Sequence, residues 1–206
     1  MEMSLFLYAV IITSAVFHEY AHGWVAYRLG DSTAKDAGRL TLNPLAHIDM
    51  VGTVLVPLFM ILTAGVFIGW AKPVPYNPNN LKDKKYGTLK VGIAGPSANL
   101  LIAVILGFFL RIAALPLAQS GTISIIFLEL LAFIVYINIF LALFNLIPFP
   151  PLDGSRVFES LFPRQWQYFT RLGFFGMFFA LVIAFLFLPS IADVIFWLIT
   201  GSHPGI

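Results

Sequence analysis

The chain has 206 residues, of which 59% are hydrophobic and 11% are charged, and its formal net charge is +2. Soluble domains carry about 25% charged residues, so this composition excludes a fold that exposes most of its surface to water. The small net charge, with no stripe of Lys and Arg, gives no indication of nucleic-acid binding. The sequence contains no cysteine, which excludes disulfides and thiolate metal sites.

Five long apolar stretches follow one another along the chain, and a shorter apolar tail covers 191–200. Because about 20 residues of helix cross a bilayer, we predict an all-α polytopic membrane protein with five to six helical segments. No basic region precedes the first stretch and no small-residue cleavage site follows it, so we expect a retained span. The five stretches run over 4–29, 51–70, 91–115, 122–147 and 168–188.

The second stretch, 51–70, contains Pro57 and Gly65, which favour two half-helices over one continuous span. Cytoplasmic loops are enriched in Lys and Arg, which gives an independent indication. If 51–70 crosses the membrane, 8 of the 12 Lys and Arg residues lie on one face of the membrane and 4 on the other. If 51–70 enters and returns, 11 lie on one face and only Arg111 lies on the other. We therefore expect a re-entrant segment and an external N-terminus. This arrangement places three loops in the cytosol: 30–50, 71–90 and 148–166.

The first of these loops contains an alternation of polar and apolar residues, Gly38-Arg39-Leu40-Thr41-Leu42. A two-residue period is typical of a strand, so we predict a short β-like segment near 38–42. An extended peptide could add to the edge of such a strand.

The first apolar stretch contains His18-Glu19-Tyr20-Ala21-His22, the pattern H-E-x-x-H. Histidines four residues apart lie on one face of a helix, so both imidazoles can reach one metal ion, with Glu19 beside them to accept a proton from water. Zinc suits such ligands, and iron and cobalt are alternatives. The pattern also arises by chance in helices without a metal. Ionisable groups are costly in hydrocarbon, however, which favours a functional site here.

A catalytic zinc takes three protein ligands, and Asp153 is the candidate for the third. Asp153 follows Pro148, Pro150 and Pro151, which exclude a regular helix and leave backbone groups without hydrogen bonds. At membrane depth such groups are tolerated only inside protein or beside a water-filled cavity. The alternative is an ordinary helix cap, with a helix from about Ser155. Counted from Ser4 at 1.5 Å per residue, His18 lies ~21 Å along the first helix. His18 is therefore expected near the cytosolic end of the first helix. Asp153 lies on the same side of the membrane if 51–70 does not cross.

Two further polar residues are candidates for accessory roles. His47 follows Asn43-Pro44 in a polar loop and is either a gating ligand, a proton carrier, a partner of a ligand, or a plain loop histidine. Asn99 follows Gly95-Pro96 at the head of a span, where it either orients a ligand or bonds between helices.

Three motifs of the chain follow one another at wide separations: His18 to His22, Gly95-Pro96-Ser97-Ala98-Asn99, and Asn145 to Gly154. Together they resemble the site-2 protease family of intramembrane metalloproteases. The residues from Gly38 to Asp49 are similar to the compact bacterial branch of that family. The resemblance covers about 5–160, and 165–200 adds membrane helices. The loops are too short for the PDZ or CBS-like domains of larger members, so we expect one domain over 1–206.

The resemblance implies one zinc ion per chain, held by His18, His22 and Asp153, and a water activated by Glu19. It also implies that Asn145 binds substrate or steadies the oxyanion. The expected activity is that of an endopeptidase that cuts transmembrane segments of other proteins within the bilayer. The expected location is the cell membrane, specifically a bacterial inner membrane, with the active site toward the cytosol.

Two other functions stay open at this point. One is a different metal-dependent membrane hydrolase, such as an enzyme that acts on lipidated peptides. The other is a non-catalytic protein that binds or transports metal. Transporters string ligands along a path, often in repeat-related halves, whereas these ligands converge and leave Glu19 spare for catalysis.

Overall fold

The computed structural model describes residues 2–64, 69–114, 117, 120–121, 124–171 and 173–203. Helices dominate these residues, and no strand occurs among them. The chain divides into two compact units, Met1–Gly95 and Pro96–Ile206, and the boundary falls inside one helix.

The first unit begins with one long helix, which is followed by short helices and helical turns. Its core lies where the end of the first helix packs against the start of the fourth, with Ala26, Leu81 and Val91 almost fully buried. In chain order its elements are α1 (Glu2–Arg28), α2 (Thr33–Asp36), a 3₁₀ turn (Pro44–His47), a π-helical turn (Met50–Leu55), α3 (Val56–Ala64), a second 3₁₀ turn (Pro78–Asn80) and the start of α4 (Gly87–Phe109).

The prediction of a strand at 38–42 is wrong. Gly38 has a φ of +66°, and the N–H of Arg39 donates to the oxygen of Ala34 at 2.8 Å, so this stretch closes a turn after α2. The oxygen of Thr41 accepts from the His47 ring at 2.8 Å. A strand needs a neighbouring strand for its ladder of hydrogen bonds, and the described residues provide none.

The described part of the second apolar stretch is an apolar helix that covers less than the thickness of a bilayer. Met50–Thr63 is apolar and helical, but at 1.5 Å per residue it covers only ~21 Å of a ~30 Å core. The N–H of Trp70 donates to the oxygen of Gly52 at 3.0 Å, and the Thr53 hydroxyl donates to the oxygen of Trp70 at 2.9 Å. Trp70 therefore lies beside the residues where the segment begins. Gly65, expected to break this helix, lies outside the described residues.

The second unit is a bundle of long helices joined by shorter ones. Ala103, Val135 and Ala192 come from three different helices and are fully buried in its core. Small residues allow membrane helices to approach closely. After the remainder of α4, the elements are a π-helical turn (Leu110–Ala114), α5 (Ile125–Asn145), α6 (Asp153–Leu161), α7 (Pro163–Thr170) and α8 (Gly173–Thr200).

Four helices among the described residues are long and apolar enough to cross a membrane, so this is a membrane protein. The predicted count of five to six segments is not confirmed. The stretches 168–188 and 191–200 were expected to be separate, but α8 runs through Pro189 without interruption. Proline in a membrane helix is tolerated where neighbouring groups satisfy the carbonyl that it frees. The four candidate spans are Leu5–Arg28, Gly87–Ile112, Ile125–Asn145 and Leu181–Thr200.

Candidate metal centre

The two histidines of the H-E-x-x-H pattern lie side by side on α1. Their Nε2 atoms are 3.0 Å apart and their rings meet edge to face at 81°. His18 is 7% exposed and His22 is 5% exposed. Two nitrogen ligands of a tetrahedral zinc, each ~2.0–2.1 Å from the ion, stand roughly 3.3 Å apart. The spacing of this pair therefore fits a shared metal ion, as the helical period predicts.

A main-chain carbonyl orients the ring of His22. Its Nδ1 atom lies 2.6 Å from the oxygen of Val91, in the first turns of α4. A carbonyl can only accept, so Nδ1 carries the hydrogen, and in the neutral ring Nε2 is the nitrogen that can ligate. Metal-ligating histidines are commonly fixed in this way by the second ring nitrogen. The sequence carries no signal for this contact, because the acceptor is backbone.

Gly95 leaves the space that the two imidazoles occupy. A Cβ atom at this position would overlap Nε2 of both His18 and His22. Gly95 belongs to the motif Gly95 to Asn99, which the sequence identified only through a family resemblance. Because glycine has no Cβ atom, the α4 backbone can lie close to the ring nitrogens at this position.

The carboxylate of Glu19 is held by the main chain of an extended segment. Its Oε2 atom accepts from the N–H of Val74 at 2.6 Å. Val74 lies between Pro73 and Pro75 in the polar segment after Trp70, and its side chain is buried. Sequence reasoning treated this segment as a loop and missed the contact. The donor is a backbone N–H, so the sequence carries no signal for this contact.

Asp153 lies in the second unit and is 7% exposed. It is the first residue of α6, and Leu152 occupies the capping position before it, so the alternative of an ordinary helix cap is not what the structure shows. The helix begins two residues earlier than the expected Ser155. Arg156 Nη1 lies 3.2 Å from one carboxylate oxygen. The positive end of α6 and this guanidinium both favour a charged carboxylate at Asp153.

The turn before Asp153 is built by close packing within the second unit. A Cβ atom on Gly154 would overlap the oxygen of Leu146. Ile147 and Phe149 are buried with residues of α8, Ala184 and Leu188. The peptide bond between Pro150 and Pro151 is cis. The C-terminal helix, which the motifs did not reach, therefore supports the segment that carries Asp153.

The remaining candidates bond to backbone or to a neighbouring helix. Asn145 ends α5, and its amide donates to the oxygen of Leu141 at 2.9 Å. Asn99 donates to Asn138 at 2.9 Å, and both amides are fully buried, which matches a bond between helices. His47 is 2% exposed; its Nε2 donates to a backbone oxygen, and its buried Nδ1 has no hydrogen-bond partner. His47 is therefore more than a solvated loop residue.

Known proteins similar to this chain are named as zinc metalloproteases. "Putative zinc metalloprotease YwhC" of Bacillus subtilis (strain 168) is 40% identical over 200 residues, which cover 95% of this chain and 86% of that protein. "Putative zinc metalloprotease Rip2" of Mycolicibacterium smegmatis is 28% identical over 191 residues, covering 90% and 70%. "Zinc metalloprotease MJ0392" of Methanocaldococcus jannaschii is 26% identical over 162 residues, covering 79% of this chain and 36% of that protein.

The model of peptidase family M50 matches residues 111–189. No solved structure gives a significant match. The extent and identity of the first similarity show that the chain belongs to peptidase family M50, the site-2 protease family. It is therefore a metalloendopeptidase, as the motifs predicted. The family match continues to residue 189, inside α8, beyond the region near residue 160 where the recognisable motifs end.

Proposed function

We propose that this protein is a zinc-dependent endopeptidase that hydrolyses peptide bonds in or near transmembrane segments of other membrane proteins. The observation that carries the proposal is the buried pair His18 and His22, whose Nε2 atoms face each other on a helix apolar enough to span a bilayer. Such groups are costly in hydrocarbon and mark functional sites. Similar proteins are named zinc metalloproteases, which supports zinc as the metal.

The proposed site holds one zinc ion per chain, with His18, His22 and Asp153 as ligands. Catalytic zinc takes three protein ligands of nitrogen and oxygen type and keeps one position open. Both histidines are buried with the geometry of a shared ligand pair, and Asp153 is a buried carboxylate at a helix start. The burial and position of each residue support the set of metal ligands that the family resemblance implies.

When bound, zinc lowers the pKa of a water molecule to about 7 and polarises a peptide carbonyl. Glu19 accepts the proton from the attacking water and then gives it to the leaving amine. The N–H of Val74 holds one oxygen of Glu19 and leaves the other to carry the proton. The amide of Asn145 has a second N–H that can donate to the developing oxyanion. One such donor contributes ~2.7–4 kcal/mol in other enzymes.

The proposed substrates are membrane-spanning helices, and the partners are therefore another membrane protein and the lipid bilayer. In a helix each carbonyl accepts a hydrogen bond from an N–H four residues ahead. The scissile peptide group must lose these bonds before a nucleophile can approach it. We therefore expect substrates with helix-weakening residues such as Gly and Pro near the cleavage site to be cut fastest.

For topology, we propose that 51–70 enters the membrane and returns on the same side. The hydrogen bonds of Trp70 with Gly52 and Thr53, which bring the two ends of the segment together, support this arrangement. The proposed location is the cell membrane with the metal site toward the cytosol, as the distribution of Lys and Arg indicates. The chain has no cysteine, so Asn79→Cys gives a single labelling site in the loop 71–90. Labelling from outside intact cells would contradict the proposal.

Substitution of Glu19 tests the proposed function. Glu19→Gln keeps an oxygen that can accept from Val74 but cannot take a proton from water. We expect the variant to keep its zinc and to lose cleavage of reconstituted single-span test proteins by about 10²–10⁴-fold, the usual contribution of a general base. Cleavage at the unaltered rate would contradict the proposal, and retained metal movement across vesicles would favour a transporter.

A further inference from the structure

We propose that Asp31 is a positioning residue for Glu19 and acts through the extended residues 73–77, which we call the strap. The proposal rests on the proposed role of Glu19 as general base. Asp31 follows the end of α1, is fully buried, and does not belong to any motif that the sequence identified. Every contact described below lies within the unit Met1–Gly95.

The strap contacts Glu19 at a single backbone donor. Pro73 and Pro75 have no N–H, so Val74 provides the only backbone N–H in this part of the strap. That N–H lies 2.6 Å from Glu19 Oε2. The Val74 side chain lies in a notch at Gly23, one turn beyond Glu19 on α1, where an added Cβ atom would be 3.0 Å from Val74 Cγ1. The orientation of Glu19 therefore depends on where the strap lies along α1.

Asp31 fixes the C-terminal end of the strap. Its Oδ2 atom accepts from the N–H of Asn77 at 2.7 Å, and its Oδ1 atom accepts from Asn80 Nδ2 at 2.9 Å. Oδ1 also accepts from the backbone N–H of Thr33 at 3.2 Å. The N–H of Asp31 itself donates to the oxygen of Ala26 at 3.0 Å, in the last turn of α1. Asp31 thus joins the strap to the helix that carries Glu19, because its side chain bonds to Asn77 and its backbone N–H bonds to α1.

Loop residues fix the N-terminal end of the strap. The N–H of Lys72 donates to the oxygen of His47 at 2.9 Å, and Arg39 Nη2 donates to the oxygen of Lys72 at 3.0 Å. Val74 lies between this anchor and the anchor at Asn77, three residues further on. Three extended residues reach at most ~10 Å, so the anchor at Asn77 restrains the N–H of Val74, and its release removes the restraint on that side.

A charged carboxylate is needed at Asp31 because all its partners are donors. Burial raises the pKa of Asp31, but hydrogen bonds from Thr33, Asn77 and Asn80 outweigh burial, so the pKa lies below its ordinary value of 3.8. The group is ionised at neutral pH and accepts through both oxygens. An amide at this position has one acceptor oxygen, so it cannot accept from both Asn77 and the backbone N–H of Thr33, and its N–H₂ group faces one of these two donors.

The test is Asp31→Asn in the full-length protein, with kcat, KM and bound zinc measured on a reconstituted single-span test protein. A misplaced catalytic group can cost up to ~10²-fold in rate, so we expect kcat to fall about tenfold or more. KM is expected to stay within about twofold and zinc content to stay unchanged, since neither substrate nor metal contacts Asp31.

Asp83→Asn is the matched control. Asp83 also lies outside the membrane and accepts from two backbone N–H groups and one side chain, but these belong to Tyr86, Lys85 and Lys90. We expect this variant to keep the unaltered kcat. Gly23→Ala is the second test, because it crowds Val74 from α1 without touching Asp31. It should also lower kcat and keep zinc.

An unaltered kcat in folded, zinc-containing Asp31→Asn would overturn the proposal. If Asp31→Asn does not fold, Gly23→Ala decides: lower kcat with zinc retained supports the role of the strap, and unchanged kcat overturns it. Glu19→Gln in the same assay separates the two proposals. If Glu19→Gln still cleaves, the proposed function itself fails; if it is inactive while Asp31→Asn cleaves at the full rate, only the role of Asp31 fails.

Discussion

The Nδ1 atom of His22 lies 2.6 Å from the main-chain oxygen of Val91, so the start of α4 sets the orientation of an imidazole that α1 carries. One turn further along α4, Gly95 gives the room in which both imidazoles meet. A carbonyl on Nδ1 leaves Nε2 to ligate, which is the usual arrangement of a histidine ligand and its supporting partner. Within the first unit, α1 and the start of α4 therefore fix the orientation of the histidine pair in a geometry that suits a shared metal ion.

Gly95→Ala should abolish zinc binding. The added Cβ atom would overlap Nε2 of both His18 and His22, so at least one imidazole must turn away. Elemental analysis of purified protein measures the loss. Gly107→Ala is the matched control, because it also crowds α4 but against the side chain of Ile199. That variant should keep its zinc, and equal zinc loss in both variants would show that general helix damage is responsible.

Gly52→Ala should destabilise the protein through Trp70. The new methyl group would overlap the indole ring, and overpacking of this kind typically costs about 1–3 kcal/mol. Trp70→Leu should be less harmful in the Gly52→Ala background than alone, because the smaller side chain relieves the overlap. Unfolding in mixed micelles gives the coupling energy of the double-mutant cycle. Additive effects of the two substitutions would contradict contact between the ends of the segment 51–70.

The stability that Asp31 contributes should depend on pH. Its pKa is lowered in the folded protein, so the folded state binds a proton less readily than the unfolded state. The contribution is present above the ordinary value of 3.8 and is lost as the pH falls through the lower folded value. The unaltered protein should have a higher Tm than Asp31→Asn at pH 7, and this difference in Tm should be smaller at pH 3. A difference of constant size would contradict this assignment.

Asn99 and Asn138 should be coupled energetically. Their side chains share a 2.9 Å hydrogen bond between α4 and α5, and both are fully buried. Bonds of this kind in membrane proteins are worth ~0.6 kcal/mol on average. Unfolding in mixed micelles should give a coupling energy of this size in the double-mutant cycle of Asn99→Leu and Asn138→Leu. Independent effects would mean that each amide is satisfied elsewhere.

The sequence predicted the parts of this structure that follow from helical period and hydropathy. Long apolar runs located three of the four candidate spans well, and the four-residue spacing of His18 and His22 predicted their shared face. The single helix over 173–200 was not predicted, since Pro189 is an unfavourable residue that membrane helices nevertheless tolerate. The strand at 38–42 failed because alternation alone supplies no partner strand.

The supporting contacts of the candidate site were not predictable, because they involve backbone atoms that carry no sequence signal. The oxygen of Val91 and the N–H of Val74 hold two site residues through backbone groups that every residue other than proline has. Asp31 has no motif around it and becomes informative only when its burial and its donors are known. Family resemblance, in turn, identified Asn145 and Gly95 without giving their contacts.

The most direct test of the proposed site is the zinc content of the purified protein in detergent. The unaltered chain should hold one zinc ion, the double variant His18→Ala with His22→Ala should hold none, and Asp153→Ala should bind zinc more weakly. His203→Ala, at an exposed histidine in the C-terminal tail, should keep the full content. An unaltered protein without zinc after reloading, or full zinc in the double variant, would contradict the central claim.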